Sequence, residues 1–493
     1  MGKMTGRREF LKKAGLAVAG ATGLGLSIGK AKGQEKAAGK AVPEAFVCET
    51  PAFPANPPAT WLTYHLAHPG PGGAMPGDPN CALYWKGRYH LHYIYQHKNG
   101  HSFAHVSSED MLHWKWHPTT LTPPKTGHGM FSGTAFLTKE GKPAIIYHGQ
   151  GSGRNQLAFA LDDKLEEWTK PVPIMPKEPS GEDAKVRQWD PDCWLNGETY
   201  YAISGGGPPH LMKSPDLKEW VHIGLLMHDD MPTTLGVNKN EDVSCANMFK
   251  IGKKWMLLCI SHRLGCRYYL GDFKDEKYLP EFHAMMNWKG WDFFAPESLH
   301  APDGRRVMWA WCLLKGLPAQ NGIQSLPREL SLPDDGVLRI KPLRELETLR
   351  YDEKGEAGVA VKSDIVRPLK DISGDTIEVK ATFGPTKAKQ FGVHVYCDKA
   401  GANGFSITVE PEAKTLALGG MKVPFELKPD EDLTLRVFLD KNMIEVFAND
   451  RQATVAPHKY APENLGVSLV SNGGDVTVKE VKGWKMKSIY AGV

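Results

Sequence analysis

Little in this 493-residue sequence would hold a metal, thread a membrane or coat a nucleic acid. Its eight cysteines (Cys48, Cys81, Cys193, Cys245, Cys259, Cys266, Cys312, Cys397) include no Cys-x-x-Cys pair, and no Cys/His cluster has zinc-ligand spacing. Most sit in apolar strand text, which predicts buried free thiols rather than a disulfide framework. The net charge is only +4 and the basic residues are dispersed, so no nucleic-acid footprint is present. Beyond the first thirty residues no apolar run reaches the roughly 20 residues that a membrane span needs. Helical periodicity and low-complexity tracts are both nearly absent.

What is present is short β text punctuated by Gly, Pro and Asp turns, at a length that calls for more than one core. One phrase recurs five times: strand, tight turn, strand. It runs through Ala82–Tyr93, Ala135–Tyr147, Cys193–Ala202, Met248–Leu258 and Ser298–Trp309. The copies begin about 50 to 60 residues apart, the range of propeller blades or solenoid repeats. Three copies are entered by a carboxylate: Asp78, Asp190 and the pair Glu241-Asp242. A second phrase, a short acidic turn ending in tryptophan, closes the first three copies at Trp114, Trp168 and Trp220, where the indole is expected to plug between blades.

From about residue 351 the fivefold phrase gives way to alternating strands with turns every 8–12 residues, the pattern of a β-sandwich. A brief helical turn near Leu343–Leu349 bridges the two parts. The expected fold is therefore all-β: a five-bladed β-propeller over residues 61–350, followed by a C-terminal β-sandwich over 351–493. Residues 1–33 read as an export signal, with Arg7-Arg8-Glu9-Phe10-Leu11 before a weak apolar run, resembling the twin-arginine type. Residues 34–60 read as a linker or wrapping arm. The mature protein is expected in the periplasm or outside the cell, without a membrane span.

Blades bring the heads of their inner strands to one axis, so carboxylates a blade apart in sequence can meet. Such a pair suits glycosidic hydrolysis, where one group protonates the leaving oxygen and another supports an oxocarbenium-like centre. Asp78 and Asp190 each precede a proline, which removes a ladder donor and fixes the turn at a strand entrance.

At this point the motifs show a resemblance. Gly77-Asp78-Pro79-Asn80, Phe131-Ser132-Gly133, Asp190-Pro191, the phrase around Cys245, Phe294-Ala295-Pro296-Glu297, Leu326-Pro327-Arg328-Glu329-Leu330 and Ile444-Glu445-Val446-Phe447 are similar, in order, to glycoside hydrolase family 32. That family contains invertases, levanases, inulinases and other β-fructosidases. The resemblance implies retaining hydrolysis of β-fructofuranosides of sucrose, levan or inulin type, without a cofactor. It makes Asp78 the nucleophile and Asp190 the transition-state stabiliser, with Phe131, Ser132, Asn80 and Gln96 around the fructose.

Four departures stand out. Trp189 replaces the family's Arg before Asp-Pro, Gly77 an Asn, Cys81 a Gly, and Ser244 the Glu that serves as general acid. Either Glu241 or Asp242 is expected to stand in as the acid with a raised pKa, Glu241 having the longer reach; the alternative is that the acid is lost. Trp189 and Glu297 are further candidates for substrate contact, and Asp292 is an equal candidate to Glu297. The mouth histidines His65, His68, His97, His101, His128 and His262 form no metal triad. Two competing readings are a five-bladed arabinan or xylan hydrolase and a catalytically silent carbohydrate-binding propeller. The partner expected in all three is a saccharide.

Overall fold

The computed structural model describes residues 53–70, 73–290, 292–314 and 320–490. The expected export signal and most of the 34–60 arm, with Cys48, lie outside them. Nearly every described element is a strand, and the α-helix Pro123–Thr126 and the 3₁₀ turns Thr233–Leu235 and Arg344–Leu349 are short exceptions. Five four-stranded antiparallel sheets follow one another along the chain, each in sequence order from its inner to its outer strand. Their innermost strands are Pro79–Trp85, Gly129–Leu137, Asp192–Asn196, Ser244–Ile251 and Phe294–His300, in blades 1 to 5. Two six-stranded sheets then pack as a sandwich, beginning with the strand Arg350–Val361.

The recurring acidic phrase has a physical cause. In each copy one aspartate oxygen caps the turn: Asp110 accepts from the Leu112 and His113 amides, Asp162 from Glu166 and Glu167, and Asp216 from Lys218 and Glu219. Met111, Leu165 and Leu217 take left-handed backbone there, with φ of 63°, 58° and 66°. The turn then delivers the tryptophan inward. The Trp168 and Trp220 indoles donate to the Leu165 and Leu217 carbonyls, and Trp168 meets His92 of blade 1 edge-on. Trp114 of blade 1 packs against Trp309 of blade 5.

The ring closes through polar side chains on the inner strands. Asn80 accepts from the Gly133 amide (2.9 Å), joining blades 1 and 2. Asp192 accepts from Thr134 Oγ1 (2.7 Å) and from the Met248 amide (2.6 Å), joining blades 2, 3 and 4. Asn247 accepts from the Ser298 amide (2.8 Å) and donates to Glu297 Oε2 (2.9 Å), and Glu297 Oε1 accepts from the Ala82 amide (2.8 Å), which returns to blade 1. These groups are buried, where a hydrogen bond left unmade costs about 1–3 kcal/mol, so each blade is held in register with the next.

The sandwich is bolted to the propeller by charge as well as by apolar packing. Glu445 accepts from the Leu326 amide and pairs with the fully buried Arg328 at 2.8 Å. Asp440 accepts from the Thr63, Tyr64 and His65 amides. Leu62, Tyr64 and Leu66 join the propeller core, in which Phe438, Met443 and Phe447 of the sandwich also take part.

Candidate active site

Four of the five inner strands carry a register shift at their heads: Asn80/Leu83, Phe131/Gly133, Ser244/Asn247 and Phe294/Pro296. In the remaining one, Asp190 enters the strand with φ of 29°. Cys245 (φ 48°) and Ala295 (φ 46°) share this left-handed backbone. A bulge breaks strict alternation and re-aims a side chain, so consecutive residues at a strand head serve one site. By position, the strand heads fall into tiers. Gly77, Phe131, Trp189, Ser244 and Phe294 form the first. Asp78, Ser132, Asp190, Cys245 and Ala295 form the second. Asn80, Thr134, Asp192, Asn247 and Glu297 form the closing ring described above.

The second tier is tightly knit. Ser132 Oγ donates to Asp78 Oδ2 at 2.9 Å. The Cys245 thiol lies 4.0 Å from Asp78 Oδ2, 3.7 Å from Asp190 Oδ2 and 3.4 Å from Ser132 Oγ. Both carboxylates therefore touch one sulfur, which holds those oxygens less than about 8 Å apart. Asp78 and Asp190 are almost wholly buried. The three neighbours Asp78, Asp190 and Ser132, named from distant parts of the chain, are brought together.

Other expected residues are placed differently. The Asn80 amide takes the Gly133 amide on its oxygen and donates to the Asp78 carbonyl (2.6 Å), which ties the backbone of Asp78 to blade 2. Glu297, expected at the substrate, is instead a buried strut between blades 4, 5 and 1; burial pushes its carboxyl well up against the opposing Asn247 and Ala82 hydrogen bonds. Gln96 is exposed and its side-chain nitrogen donates to the His97 carbonyl. Asp292 lines a groove with Trp288, Phe405 and Met421, where propeller meets sandwich. Among the described residues no cluster of three or more His, Cys, Asp or Glu is arranged for a metal, and the seven described cysteines are free and buried.

The expectation of a raised acid at Glu241 or Asp242 is corrected. Burial raises both, but hydrogen bonds outweigh it. Ser261 Oγ (2.6 Å) and the Arg263 guanidinium hold Glu241 below its ordinary value. Asp242 is held down at about 2 by His262, with a further hydrogen bond from Ser244. Its Oδ2 takes the His262 amide (2.9 Å) and Nδ1 (2.5 Å), and its Oδ1 takes Ser244 Oγ (2.7 Å). Both groups stand as anions at neutral pH.

The departures from the family pattern have local causes. A Cβ at Gly77 would lie 2.6 Å from Gly322 Cα and 3.0 Å from Trp311 Nε1, so the space an asparagine would need is filled. Trp189 places its ring 6.3 Å from Phe131 and 4.7 Å from His148. The Arg187 guanidinium stacks on the same indole at 4.8 Å, so a cation remains near the altered position. Cys81 sits at φ 49°, where glycine would be unstrained.

Sequence reasoning missed Asp192 and Asn247, and it named His262 only as one of six mouth histidines, without its tie to Asp242. The signal for the ring was present: Pro79-Asn80, Pro191-Asp192 and Pro296-Glu297 repeat a proline followed by an acid or amide. The partnership of His262 with Asp242 had no such signal, because it depends on the pairing of Ser244 with Ile260 across blade 4.

Comparison with known proteins agrees with this architecture. Residues 68–342 match the profile of the glycosyl hydrolases family 32 N-terminal domain, and residues 345–485 that of the family's C-terminal part. The chain is 26% identical over 434 residues to a sucrose-6-phosphate hydrolase of Zymomonas mobilis, covering 76% of this chain and 82% of that one. It is 27% identical over 507 residues to the levanase of Bacillus subtilis, covering 89% and 71%. In fold it is similar to the fructan 1-exohydrolase IIa of Cichorium intybus, with a TM-score of 0.71 at 19% identity over 87% of this chain and 98% of that one. It is also similar to the exo-inulinase of Aspergillus awamori, with a TM-score of 0.70 at 17% identity over 87% and 98%. With both family domains matched in order over most of its length, the chain belongs to glycosyl hydrolase family 32.

Proposed function

We propose that the protein is an exported β-fructofuranosidase that cleaves sucrose- or fructan-type substrates by a retaining double displacement. The observation that carries this is the meeting of Asp78 and Asp190 on the Cys245 thiol at the propeller axis. Asp78 attacks the anomeric carbon as the bond to the leaving oxygen breaks and that oxygen takes a proton. The fructosyl ester so formed is then hydrolysed by water. Asp190 faces the same centre and supports its positive charge. Ser132 holds Asp78 by one oxygen, and Asn80 fixes the backbone beneath it. The proton comes from the corner where His262 and Ser244 meet Asp242. The steps need only carboxylates, a proton donor and water.

The sucrose-6-phosphate hydrolase, levanase and raffinose invertase names of the relatives support a fructoside substrate. Incubating the protein with sucrose, inulin and levan tests it: free fructose is expected from at least one, and Asp78→Asn should abolish release while leaving the fold intact. One observation favours a second reading, a saccharide-binding propeller without turnover: Ser244 cannot protonate a leaving oxygen. Binding of all three saccharides without release of sugar supports that reading and overturns the first. Export is tested by Arg7→Lys with Arg8→Lys, which should retain the precursor in the cytoplasm.

A further inference from the structure

The slot for the family's acid holds a serine, yet a titratable ring stands beside it. Ser244 directly precedes Cys245, which touches both throat carboxylates, and Ser244 Oγ donates to Asp242 Oδ1 at 2.7 Å. The other oxygen of Asp242 binds both the backbone amide and Nδ1 of His262. His262 follows the second strand of blade 4, whose Ile260 pairs with Ser244, so ring and vacated slot lie at the same end of adjacent strands. Its ring packs edge-on near Phe294, the first-tier residue of blade 5, with centroids 6.4 Å apart. The side chain is 27% exposed, and no described group hydrogen-bonds its Nε2.

We propose that His262, oriented by Asp242, is the proton donor and acceptor of this enzyme, in place of the missing glutamate. The inference rests on the hydrolase reading above and deepens it. A carboxylate accepting from Nδ1–H fixes the ring so that Nε2 is the working nitrogen. In the first step the imidazolium gives its Nε2 proton to the leaving glycosidic oxygen as Asp78 bonds to the anomeric carbon. In the second, neutral Nε2 takes a proton from the water that displaces Asp78, which restores the imidazolium. Glu241 is withdrawn from this task by Ser261 and Arg263, and the buried Arg267 on the third strand of blade 4 donates to the Asp242 carbonyl, steadying the corner. The charged groups of this corner are Asp242, bonded to the ring itself, Glu241 and Arg263, bonded to each other, and Arg267, bonded to the Asp242 carbonyl.

The test compares sucrose with p-nitrophenyl β-fructofuranoside, whose leaving group departs without a proton. For His262→Ala, kcat/KM on sucrose is expected to fall about 10²–10⁴-fold, while the aryl substrate loses less than about tenfold. The alkaline limb of the wild-type pH–rate profile on sucrose should disappear in the variant. His262→Gln, closer in shape, serves if the alanine variant does not fold. Asp242→Asn should lower sucrose turnover and shift the same limb. Equal losses on both substrates, or sucrose turnover with an unchanged pH profile, overturn the assignment. Failure of the wild type on every fructoside, aryl included, instead overturns the hydrolase reading itself.

Discussion

Acidification should destabilise this protein strongly between pH 7 and pH 5 through a column of histidines in blade 1. His90, His92, His105 and His117 stack on one another, with centroid distances of 5.2 Å (His90–His105), 4.5 Å (His92–His105) and 4.7 Å (His105–His117). Burial is the main cause that holds them neutral, and the neighbouring imidazoles add to it. His90 is lowered to about 3 and His92 to about 4, the latter against a hydrogen bond to the Cys81 carbonyl. A histidine depressed in the folded state is protonated first in the unfolded chain. The unfolded state therefore binds more protons below pH 6.5, and stability falls as pH drops from there toward the folded values. At pH 5 the folded rings are still neutral, whereas the unfolded ones are almost fully charged. The linkage cost is then about 2 kcal/mol for each of His90 and His92, about 4 kcal/mol together, out of a total of roughly 5–15 kcal/mol for a typical domain. Urea unfolding of wild type and His92→Gln at both pH values measures it. The variant should lose about 2 kcal/mol less than wild type on going from pH 7 to pH 5. An identical loss in both proteins, or a wild type equally stable at the two pH values, refutes the reasoning.

Three further outcomes follow from other parts of the fold. His65 behaves oppositely: burial lowers it, but hydrogen bonds to Asp440 and Glu445 win and raise it to about 9. Its contribution is complete below pH 6.5 and lost as pH rises through about 9, so His65→Gln should flatten the alkaline fall in melting temperature. Arg328→Met leaves Glu445 buried without its guanidinium partner and should cost about 3–5 kcal/mol in thermal unfolding; a change below 1 kcal/mol would mean that water reaches Glu445. Gly77→Asn restores the family's residue where Gly322 and Trp311 fill the space, so it should destabilise by about 1–3 kcal/mol, which calorimetry would register, rather than improve activity.

The blades were legible because each is a local hairpin with its own turn chemistry, and five copies of one phrase average out the errors of any single reading. Asp78 and Asp190 were legible for a similar reason, since each precedes a proline three or four residues before its repeat strand, whereas Ser132 was named through the family resemblance alone. What escaped was everything fixed by neighbours in space. Glu297 looked like another throat acid, because its distance from the strand head differs from that of Asp78 by two residues, and two residues decide between throat and closing ring. Glu241 and Asp242 carry charge that suggests an acid, but Arg263, Ser261 and His262, which make them anions, come from the far side of a hairpin. The sandwich's strands were readable by alternation, whereas the bonds of Asp440 to residues 63–65 reach across up to 377 positions and that of Glu445 to Leu326 across 119.

The most direct measurement is to quench the protein during turnover of sucrose and map its peptides by mass. The account predicts one hexosyl unit in ester linkage on the peptide that carries Asp78, and none in Asp78→Asn. A sugar ester on Asp190, or on any carboxylate other than Asp78, would contradict it.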